Sequence, residues 1–346
     1  MTITIKQTAV ILIIGICLFS LTDCKKDIEK EAGKVTITLG SYTVSKEVYQ
    51  NEIIPMFKQF WKDSTGQEVL FNESYIASGA QSRAITMGFE ADIAALSLEH
   101  DINRLQEAGL ITHDWKAGLN GGFVTRSIVV MAVREKNPKG ITDWKDLMRK
   151  DVEVIYPSPK TSGGAMWVVN AIYGAGLKLS EQNMGQIDPE YAKNFLSSIQ
   201  KRVKVMDKSG RASVTTFETG IGDVLLTYEN EVILRNKMGK TMPYIIPDAT
   251  ILIENPVALV DKNVEKHENR AVVEAFIRFL HTENIQKSFA EYGFRPVNQK
   301  VLADFKDVYP IPQYLFDINF LGGWDKVEED IYGPDGIWTR IFEEQM

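Results

Sequence analysis

The sequence predicts an α/β protein of two lobes joined by strands. Short apolar strands alternate with amphipathic helices from Val35 onward, which is typical of parallel sheets built from βαβ units. At 346 residues, 44% of them hydrophobic and 25% charged, the chain is long enough for two ordinary domains and too apolar to be disordered. No repeat, low-complexity stretch or flexible linker divides it, which fits two lobes that are joined by strands.

The first series of elements contains a long helix that we expect to kink at Pro55, because proline removes a backbone donor. Its members are predicted from apolar residues that recur at helical or strand spacing. They are strand Val35–Leu39, helix Lys46–Asp63, strand Glu68–Asn72, helix Ala80–Met87 and strand Asp92–Ser97.

A second series repeats this alternation and favours two sheets over one. It comprises strand Ser127–Val133, helix Trp144–Met148, strand Val152–Tyr156, helix Ala165–Gly174, helix Pro189–Lys201, strand Val203–Met206 and strand Asp223–Tyr228. The long apolar runs Ser127–Arg134 and Ile251–Asp261 are the predicted crossing strands. Lobe 1 is therefore predicted at 35–126 and 252–346, and lobe 2 at 127–251.

The amino-terminal residues have the pattern of a lipoprotein signal peptide. The apolar stretch Ala9–Leu21 is too short for a permanent membrane span but suits a signal-peptide core. It ends in Leu-Thr-Asp-Cys, which resembles the lipoprotein box in which a cysteine is acylated after cleavage. We predict a signal peptide at 1–23, a lipidated Cys24 and a lipidated, solvated tether at 24–34. Asp23 departs from the usual small residue, so an ordinary secretory signal is the alternative.

Charge and cysteine content argue against several classes of function. The formal net charge of −7 disfavours nucleic-acid binding, and no polybasic run would hold the chain to anionic lipid. Cys17 lies in the segment to be removed, so the mature chain keeps one thiol. A disulfide framework, a thiol nucleophile and a thiolate metal site are thereby excluded.

Three strand-to-helix turns are the candidates for binding chemistry. In open α/β sheets, ligands bind beyond the carboxyl ends of strands, where Ser and Gly expose backbone N–H groups and helix N-termini are positive. A single Ser-Gly turn is more often a plain helix cap, but three in one chain favour an anion site. None has the Gly-Lys-Ser/Thr ending of a nucleotide loop. The turns span 74–80, 157–165 and 208–213.

Several blocks of sequence around these turns occur in a recognisable order. They are Ser41 to Tyr49, Ser78-Gly79-Ala80-Gln81, Glu90-Ala91-Asp92, Lys136 to Gly140, Pro157 to Trp167, Gly220 to Leu225, Glu229-Asn230-Glu231 and Phe294-Arg295-Pro296. With these blocks the chain resembles the periplasmic sulfate-binding proteins, the substrate-binding subunits of sulfate/thiosulfate ABC transporters, over about Ser41 to Pro296. The resemblance implies a two-lobed type II periplasmic-binding-protein fold with two crossover strands that closes over one dehydrated oxyanion.

The resemblance also implies a set of ligand contacts. The backbone donors of the family fall on Thr43, Ser78, Gly163, Gly164 and Gly210, and side-chain donors on Ser162 and Tyr228. Thr43 replaces a common Asp, and Tyr228 replaces a Trp. Because a phenol can accept as well as donate, this second change makes the pocket more permissive. Arg211 is predicted to support the loop, or to pair with Glu229 or Asp207, rather than to touch the anion. Arg211 and Glu229 are candidates for residues that lie behind the ligand contacts and hold them in place. Trp167 is predicted to be core.

The chemistry of the candidate contacts favours sulfate or thiosulfate. A fully ionised tetrahedral dianion offers only acceptors, whereas protonated phosphate needs an acceptor in the site. None of the candidate contacts is Asp or Glu. The alternative ligands are molybdate and phosphate. The alternative function is that of a surface lipoprotein that binds other molecules and keeps the fold without taking part in transport. The expected partners are the ion, a complex of permease and ATPase, and the membrane, which the protein contacts through its lipid anchor. No cofactor is expected. The predicted location is the periplasm or the cell surface.

An enzyme is the main rival class. The sequence gives this class little support. The four histidines of the chain show no metal-ligand spacing and no nucleophile partner. They are His100, His113, His267 and His281. The carboxylates Glu229 and Glu231 lie at a strand-helix junction, where a structural role is the simpler interpretation. We therefore expect no catalytic residues and no metal.

Overall fold

The computed structural model describes residues 33–344. The predicted signal peptide, Cys24 and nearly all of the tether lie outside the described residues. Between residues 33 and 344, no helix is both long enough and apolar enough to cross a membrane.

The strands of the described residues form one continuous hydrogen-bonded sheet, with the main order β2-β1-β3-β9-β4-β7-β5-β6. β10 and β8 pair with β4, and β11 pairs with β9. The strands are β1 (Lys34–Tyr42), β2 (Glu68–Ile76), β3 (Ile93–Ala95), β4 (Phe123–Val133), β5 (Val154–Ile155), β6 (Val203–Val205), β7 (Val224–Tyr228), β8 (Tyr244–Ile245), β9 (Ala249–Leu259), β10 (Arg295–Pro296) and β11 (Tyr314–Phe316).

The expectation of two separate sheets was wrong, because β4 and β9 run through both groups of strands. Near its carboxyl end, β9 pairs with β3, and β3 continues to β1 and β2. The amino-terminal half of β4 pairs with β9, whereas its carboxyl-terminal half pairs with β7. These are the two predicted crossing strands, and each begins earlier than expected, at Phe123 and at Ala249.

Helices cover both groups of strands. They are α1 (Lys46–Val48), α2 (Ile54–Thr65), α3 (Ser78–Thr86), α4 (Glu99–Glu107), α5 (Gly163–Met184), α6 (Pro189–Gln200), α7 (Gly210–Glu218), α8 (Glu229–Lys237), α9 (Asp261–His267), α10 (Arg270–Leu280), α11 (Glu283–Glu291), α12 (Gln299–Asp304), α13 (Trp324–Val327) and α14 (Ile337–Glu343). The predicted helix at Trp144–Met148 is a 3₁₀ turn. The architecture is the predicted α/β fold with two crossing strands.

The long helix predicted at Lys46–Asp63 is built from three pieces. Between α1 and α2 lies a π turn, Tyr49–Ile53, in which the Ile54 N–H bonds to the Tyr49 carbonyl. Pro55 follows in the first turn of α2, where a missing N–H costs little. The π turn therefore lets the helix pass the proline, which is the position where the sequence predicts a kink.

The carboxyl-terminal residues pack on elements of the predicted second lobe. The Tyr332 hydroxyl donates to Asn170 Oδ1 on α5 over 2.9 Å, and the Trp338 indole N–H donates to the Tyr156 hydroxyl over 3.4 Å. Trp338 is almost completely buried. We therefore propose that residues 314–344 belong to lobe 2, although the sequence analysis placed them in lobe 1.

The parallel strands of both groups end toward the same region. β1, β2 and β3 run parallel to one another, as do β5, β6 and β7. The turns that follow β1, β2, β3, β5 and β6, together with the carboxyl end of β7, contain residues that line one cavity. The fold thus places the predicted ligand turns together, as expected for open α/β sheets.

Candidate anion-binding site

A small cavity lies beyond the carboxyl ends of these strands. Its volume, measured as the space open to the centre of a water molecule, is about 20 Å³. A single water needs roughly 10–15 Å³ by this measure, so the cavity suits a small ion and is far too small for a nucleotide. It is lined by Tyr42, Thr43, Val44, Ala77, Ser78, Ser97, Pro157, Ser162, Gly164, Gly210, Leu226, Thr227 and Tyr228.

The structure brings six of the seven predicted ligand contacts to this cavity. These are Thr43, Ser78, Ser162, Gly164, Gly210 and Tyr228. The seventh, Gly163, lines the neighbouring cavity instead. The positions 157–165, 74–80 and 208–213 therefore meet as the sequence predicts, while the role of each residue as a ligand contact stays a prediction.

Three helices begin at the cavity. α3 starts at Ser78, α5 at Gly163 and α7 at Gly210. The first N–H groups of a helix have no partner within the helix, and the helix dipole makes this end positive. At α5 the first helical bond is donated by Ala165 to the Ser162 carbonyl. The N–H groups of Gly163 and Gly164 precede it, so they can serve an anion.

Gly164 allows side chains and backbone to converge. A Cβ placed on Gly164 would lie 3.4 Å from Ser162 Oγ and 3.6 Å from the Tyr228 hydroxyl oxygen. The backbone of α5 therefore begins within reach of both hydroxyls. Such an arrangement can surround a tetrahedral ion with donors from two directions.

Tyr228 ends β7 and is almost fully buried. Its hydroxyl has no hydrogen-bond partner of proper geometry in the described part of the chain. Burial raises the pKa of this phenol, the nearby Ser97 hydroxyl lowers it, and the Asp101 charge raises it. Tyr228 is therefore neutral at physiological pH and carries a proton that it can donate into the cavity.

Ser97 was missed by the sequence analysis. It follows β3, is 1% exposed and lines the cavity, and its hydroxyl also has no partner among residues 33–344. The predicted strand Asp92–Ser97 ended on this serine. Its position at the carboxyl end of a strand was the available signal, because that is where ligands bind in this class of sheet.

Asp101 was also missed, and it lies one layer behind the cavity. Its Oδ2 accepts a hydrogen bond from the Ser78 hydroxyl over 2.5 Å, and its Oδ1 accepts one from Arg104 Nη1 over 3.1 Å. The side chain is 1% exposed. Burial raises the pKa of this carboxyl, opposed by the Ser78 hydrogen bond and the charges of Arg104 and His100. No sequence pattern showed that α4 would pack behind Ser78.

Arg211 braces the site, but its partners differ from those predicted. Its Nε donates to Glu231 Oε1 over 3.1 Å, and its Nη2 donates to Glu47 Oε2 over 2.8 Å. The prediction that it pairs with Glu229 or Asp207 was wrong. Asp207 accepts instead from hydroxyls of α7.

Glu229 does not support Arg211, because it forms a separate buried ion pair with Arg295. The Arg295 Nε and Nη2 atoms donate to the two carboxylate oxygens over 2.6 and 2.9 Å. Both side chains are almost fully buried. Glu229 and Glu231 thus each bind an arginine, which is consistent with a structural role for this pair of carboxylates.

Trp167 lies in the core behind the cavity. It is 1% exposed, packs edge to face on Trp324 at 4.9 Å, and donates its indole N–H to the Ser97 carbonyl over 2.8 Å. It does not line the cavity. Its position agrees with the prediction of a core residue.

The histidines lie apart from the cavity and bind to polar side chains. His113 contacts Asp261, and His267 contacts both Asp92 and Glu90. His100 contacts Arg104, and His281 contacts Asn120. No group of His, Cys, Asp and Glu able to hold a metal ion occurs within residues 33–344.

This fold, with its uncharged cavity beyond the carboxyl ends of the strands, is that of the two-lobed periplasmic binding proteins. Residues 50–295 match the family model of the bacterial extracellular solute-binding proteins. The chain belongs to this family, and within it to the periplasmic sulfate- and thiosulfate-binding proteins, as the sequence resemblance predicted.

The relatives agree with this assignment over most of their length. The chain is 44% identical to the sulfate-binding protein of Synechococcus elongatus over 313 residues, which are 89% of this chain and 86% of that protein. It is 35% identical to the thiosulfate-binding protein of Escherichia coli, covering 87% of this chain and 89% of the relative. The solved structure of the sulfate-binding protein SubI from Mycobacterium tuberculosis H37Rv is similar with a TM-score of 0.76 at 37% identity, covering 85% of this chain and 98% of that one.

Proposed function

We propose that this protein captures sulfate or thiosulfate in the small cavity and delivers it to an ABC importer. The observation that carries the proposal is the polarity of the cavity. Three helix N-termini and two unpaired hydroxyls face it, and no Asp, Glu, Lys, Arg or His lines it. Such a site offers hydrogen-bond donors to an ion that has only acceptors.

The preference over phosphate rests on the absence of a charged acceptor. A protonated phosphate must donate its own hydrogen, and a carboxylate is the strongest acceptor for it. The Asp101 carboxylate, which lies behind the cavity-lining Ser78, is occupied by Ser78 and Arg104. Titration calorimetry with sulfate, thiosulfate, molybdate and phosphate tests the proposal, which requires sulfate or thiosulfate to bind more tightly than phosphate.

We propose no catalytic role. The proposed ligand contacts are backbone N–H groups and hydroxyls, and no His, Asp, Glu or Lys of the described residues lines the cavity with Ser162. A hydroxyl without such a base is a poor nucleophile. Sulfate recovered unchanged after incubation with the protein would agree with a pure binding role, and release of a product would contradict it.

We further propose that Cys24 carries a lipid anchor that holds the protein at the periplasmic or cell-surface side of a membrane. The lipoprotein-like residues 21–24 support this proposal. More than one acyl chain is needed for stable anchoring of a soluble domain. A Cys24→Ser variant should leave the membrane fraction after cell lysis, and continued membrane association would rule out the anchor.

A further inference from the structure

Three hydrogen bonds fix the backbone of Ser97. Its N–H donates to the Ser78 hydroxyl over 2.9 Å. Its carbonyl accepts from the Trp167 indole over 2.8 Å and from the Asn255 amide over 3.3 Å. These partners lie on α3, α5 and β9, so elements that are distant in the chain fix one serine.

The Ser97 side chain, by contrast, is left without a partner. Its hydroxyl is buried and makes no hydrogen bond of proper geometry to any residue of the described chain. A Cβ on Gly163 would overlap this oxygen, so the hydroxyl lies directly against the start of α5. Of the buried polar atoms that lack a partner within residues 33–344, those of Ser97 and Tyr228 are the two that belong to cavity-lining residues.

An unpaired buried hydroxyl is costly, and native structures rarely keep one without a reason. Replacing both partners of a hydrogen bond by apolar groups can be neutral, whereas leaving one partner alone costs its full desolvation. Ser97 and Tyr228 lie near enough for the Ser97 hydroxyl to lower the pKa of Tyr228, but neither hydroxyl makes a hydrogen bond of proper geometry within the described chain. A bound group with several acceptors would give both hydroxyls a partner.

We propose that Ser97 is a further ligand-binding residue, whose hydroxyl donates to the bound oxyanion beside the Tyr228 hydroxyl. The inference rests on the proposed function and extends it. A sulfate or thiosulfate dianion has acceptors on every oxygen, so it can take both protons at once. The cavity then contains three side-chain hydroxyl donors, from Ser97, Ser162 and Tyr228, in addition to the helix N-termini.

A Ser97→Ala variant tests this proposal by two opposite effects. Sulfate affinity, measured by titration calorimetry, should fall by about tenfold, because a hydrogen bond to a charged group is lost. The thermal unfolding midpoint of the ligand-free variant should equal or exceed that of the parent, because an unsatisfied hydroxyl is removed. A residue with a merely structural role would not separate these two quantities.

Ser127→Ala is the matched control. Ser127 is a fully buried serine with an unpaired hydroxyl, like Ser97, but it does not line the cavity. This variant should bind sulfate as the parent does. If Ser97→Ala also binds like the parent, or if both variants weaken binding equally, the assignment of Ser97 is overturned.

The outcome separates this inference from the proposed function. If the parent protein binds neither sulfate nor thiosulfate, the proposed function fails and the role of Ser97 fails with it. If the parent binds sulfate and Ser97→Ala binds it equally well, only the role of Ser97 fails. If both hydroxyls donate to one ion, the effects of Ser97→Ala and Tyr228→Phe are coupled. The double variant should then lose sulfate affinity by a smaller factor than the product of the factors lost by the two single variants.

Discussion

Arg211 on α7 and Glu47 on α1 form an ion pair between residues 164 positions apart, with Arg211 Nη2 lying 2.8 Å from Glu47 Oε2. In the proposed division into lobes, this pair joins lobe 2 to lobe 1 next to the cavity. Arg211 also binds Glu231, which is completely buried. The guanidinium therefore connects a surface of one lobe to a fixed carboxylate inside the other.

Arg211→Ala should destabilise the protein more than it changes selectivity. Burial raises the pKa of the Glu231 carboxyl, opposed by the charges of Arg211 and Arg235. Without Arg211, only Arg235 opposes the cost of burying the Glu231 charge. Breaking a buried ion pair in this way costs about 3 kcal/mol. Urea unfolding should show this loss, while the ratio of sulfate to thiosulfate affinity should stay as in the parent.

Arg278→Ala is the control for this prediction. Arg278 is 65% exposed and contacts Glu274 over 3.6 Å at the protein surface. Such pairs contribute about 0–1 kcal/mol. A change of selectivity in Arg211→Ala without a loss of stability would show that Arg211 touches the ligand.

Ser162→Ala and Tyr228→Phe should each weaken sulfate binding by about tenfold, because each removes a donor to a charged ligand. Neither variant should unfold more easily without ligand. The Tyr228 hydroxyl has no partner of proper geometry among residues 33–344, and no capping bond is made by the Ser162 side chain. Titration calorimetry measures the affinities, and binding like the parent by both variants would refute the pocket assignment.

Tyr309→Phe provides the reverse case. Tyr309 is as buried as Tyr228, but its hydroxyl donates to the Ala290 carbonyl over 2.5 Å and lies away from the cavity. Its loss should lower the free energy of unfolding by about 1 kcal/mol or more. Sulfate affinity should not change.

Gly163→Ala should abolish most of the binding. A Cβ at this position would lie 2.7 Å from Leu98 Cγ and would overlap the Ser97 hydroxyl. The start of α5 must then shift away from the cavity, with an expected loss of more than tenfold in sulfate affinity. Gly210→Ala is the matched variant, because a Cβ there meets only Val44 Cγ2 at 3.4 Å. Equal effects of the two substitutions would contradict this explanation.

Sulfate binding should tighten as the pH falls, because of Asp101. Burial raises the pKa of this carboxyl in the folded protein. A dianion bound beyond Ser78 disfavours the ionised form further, so binding is accompanied by proton uptake. The gain in sulfate affinity is complete below the pKa that Asp101 has in the free protein. It is lost as the pH rises through the higher pKa that Asp101 has in the complex. Sulfate itself keeps its charge throughout the neutral range.

Calorimetry in buffers of different ionisation enthalpy measures this proton uptake. Asp101→Asn should remove the pH dependence, whereas Glu90→Gln should retain it. Glu90 is half exposed and pairs with Lys266 at the surface. Sulfate affinity that is independent of pH in the parent protein would refute the coupling.

The alternation of elements was readable from the sequence because it depends on local periodicity. Strand β7 and helix α6 were predicted within one residue of their observed bounds. The Ser-Gly turns at Ser78 and Ser162 were found for the same reason, since a helix start has a local pattern. The crossing strands were also visible as long apolar runs.

The remaining parts of the site depend on which elements become neighbours. Glu47 could not be assigned to Arg211, because the two residues meet only through the folded sheet. Asp101 lies behind Ser78 and Ser97 lies against Gly163 for the same reason. The single sheet escaped prediction because β4 and β9 each serve two groups of strands.

The thermal or chemical unfolding of the protein with sulfate and with phosphate at neutral pH tests the central claim most directly. A cavity that offers donors to a fully ionised tetrahedral anion predicts that sulfate raises the free energy of unfolding by about 2.7 kcal/mol at a hundredfold excess over its dissociation constant. Phosphate at the same concentration should leave it unchanged. An equal or larger increase with phosphate would contradict the account.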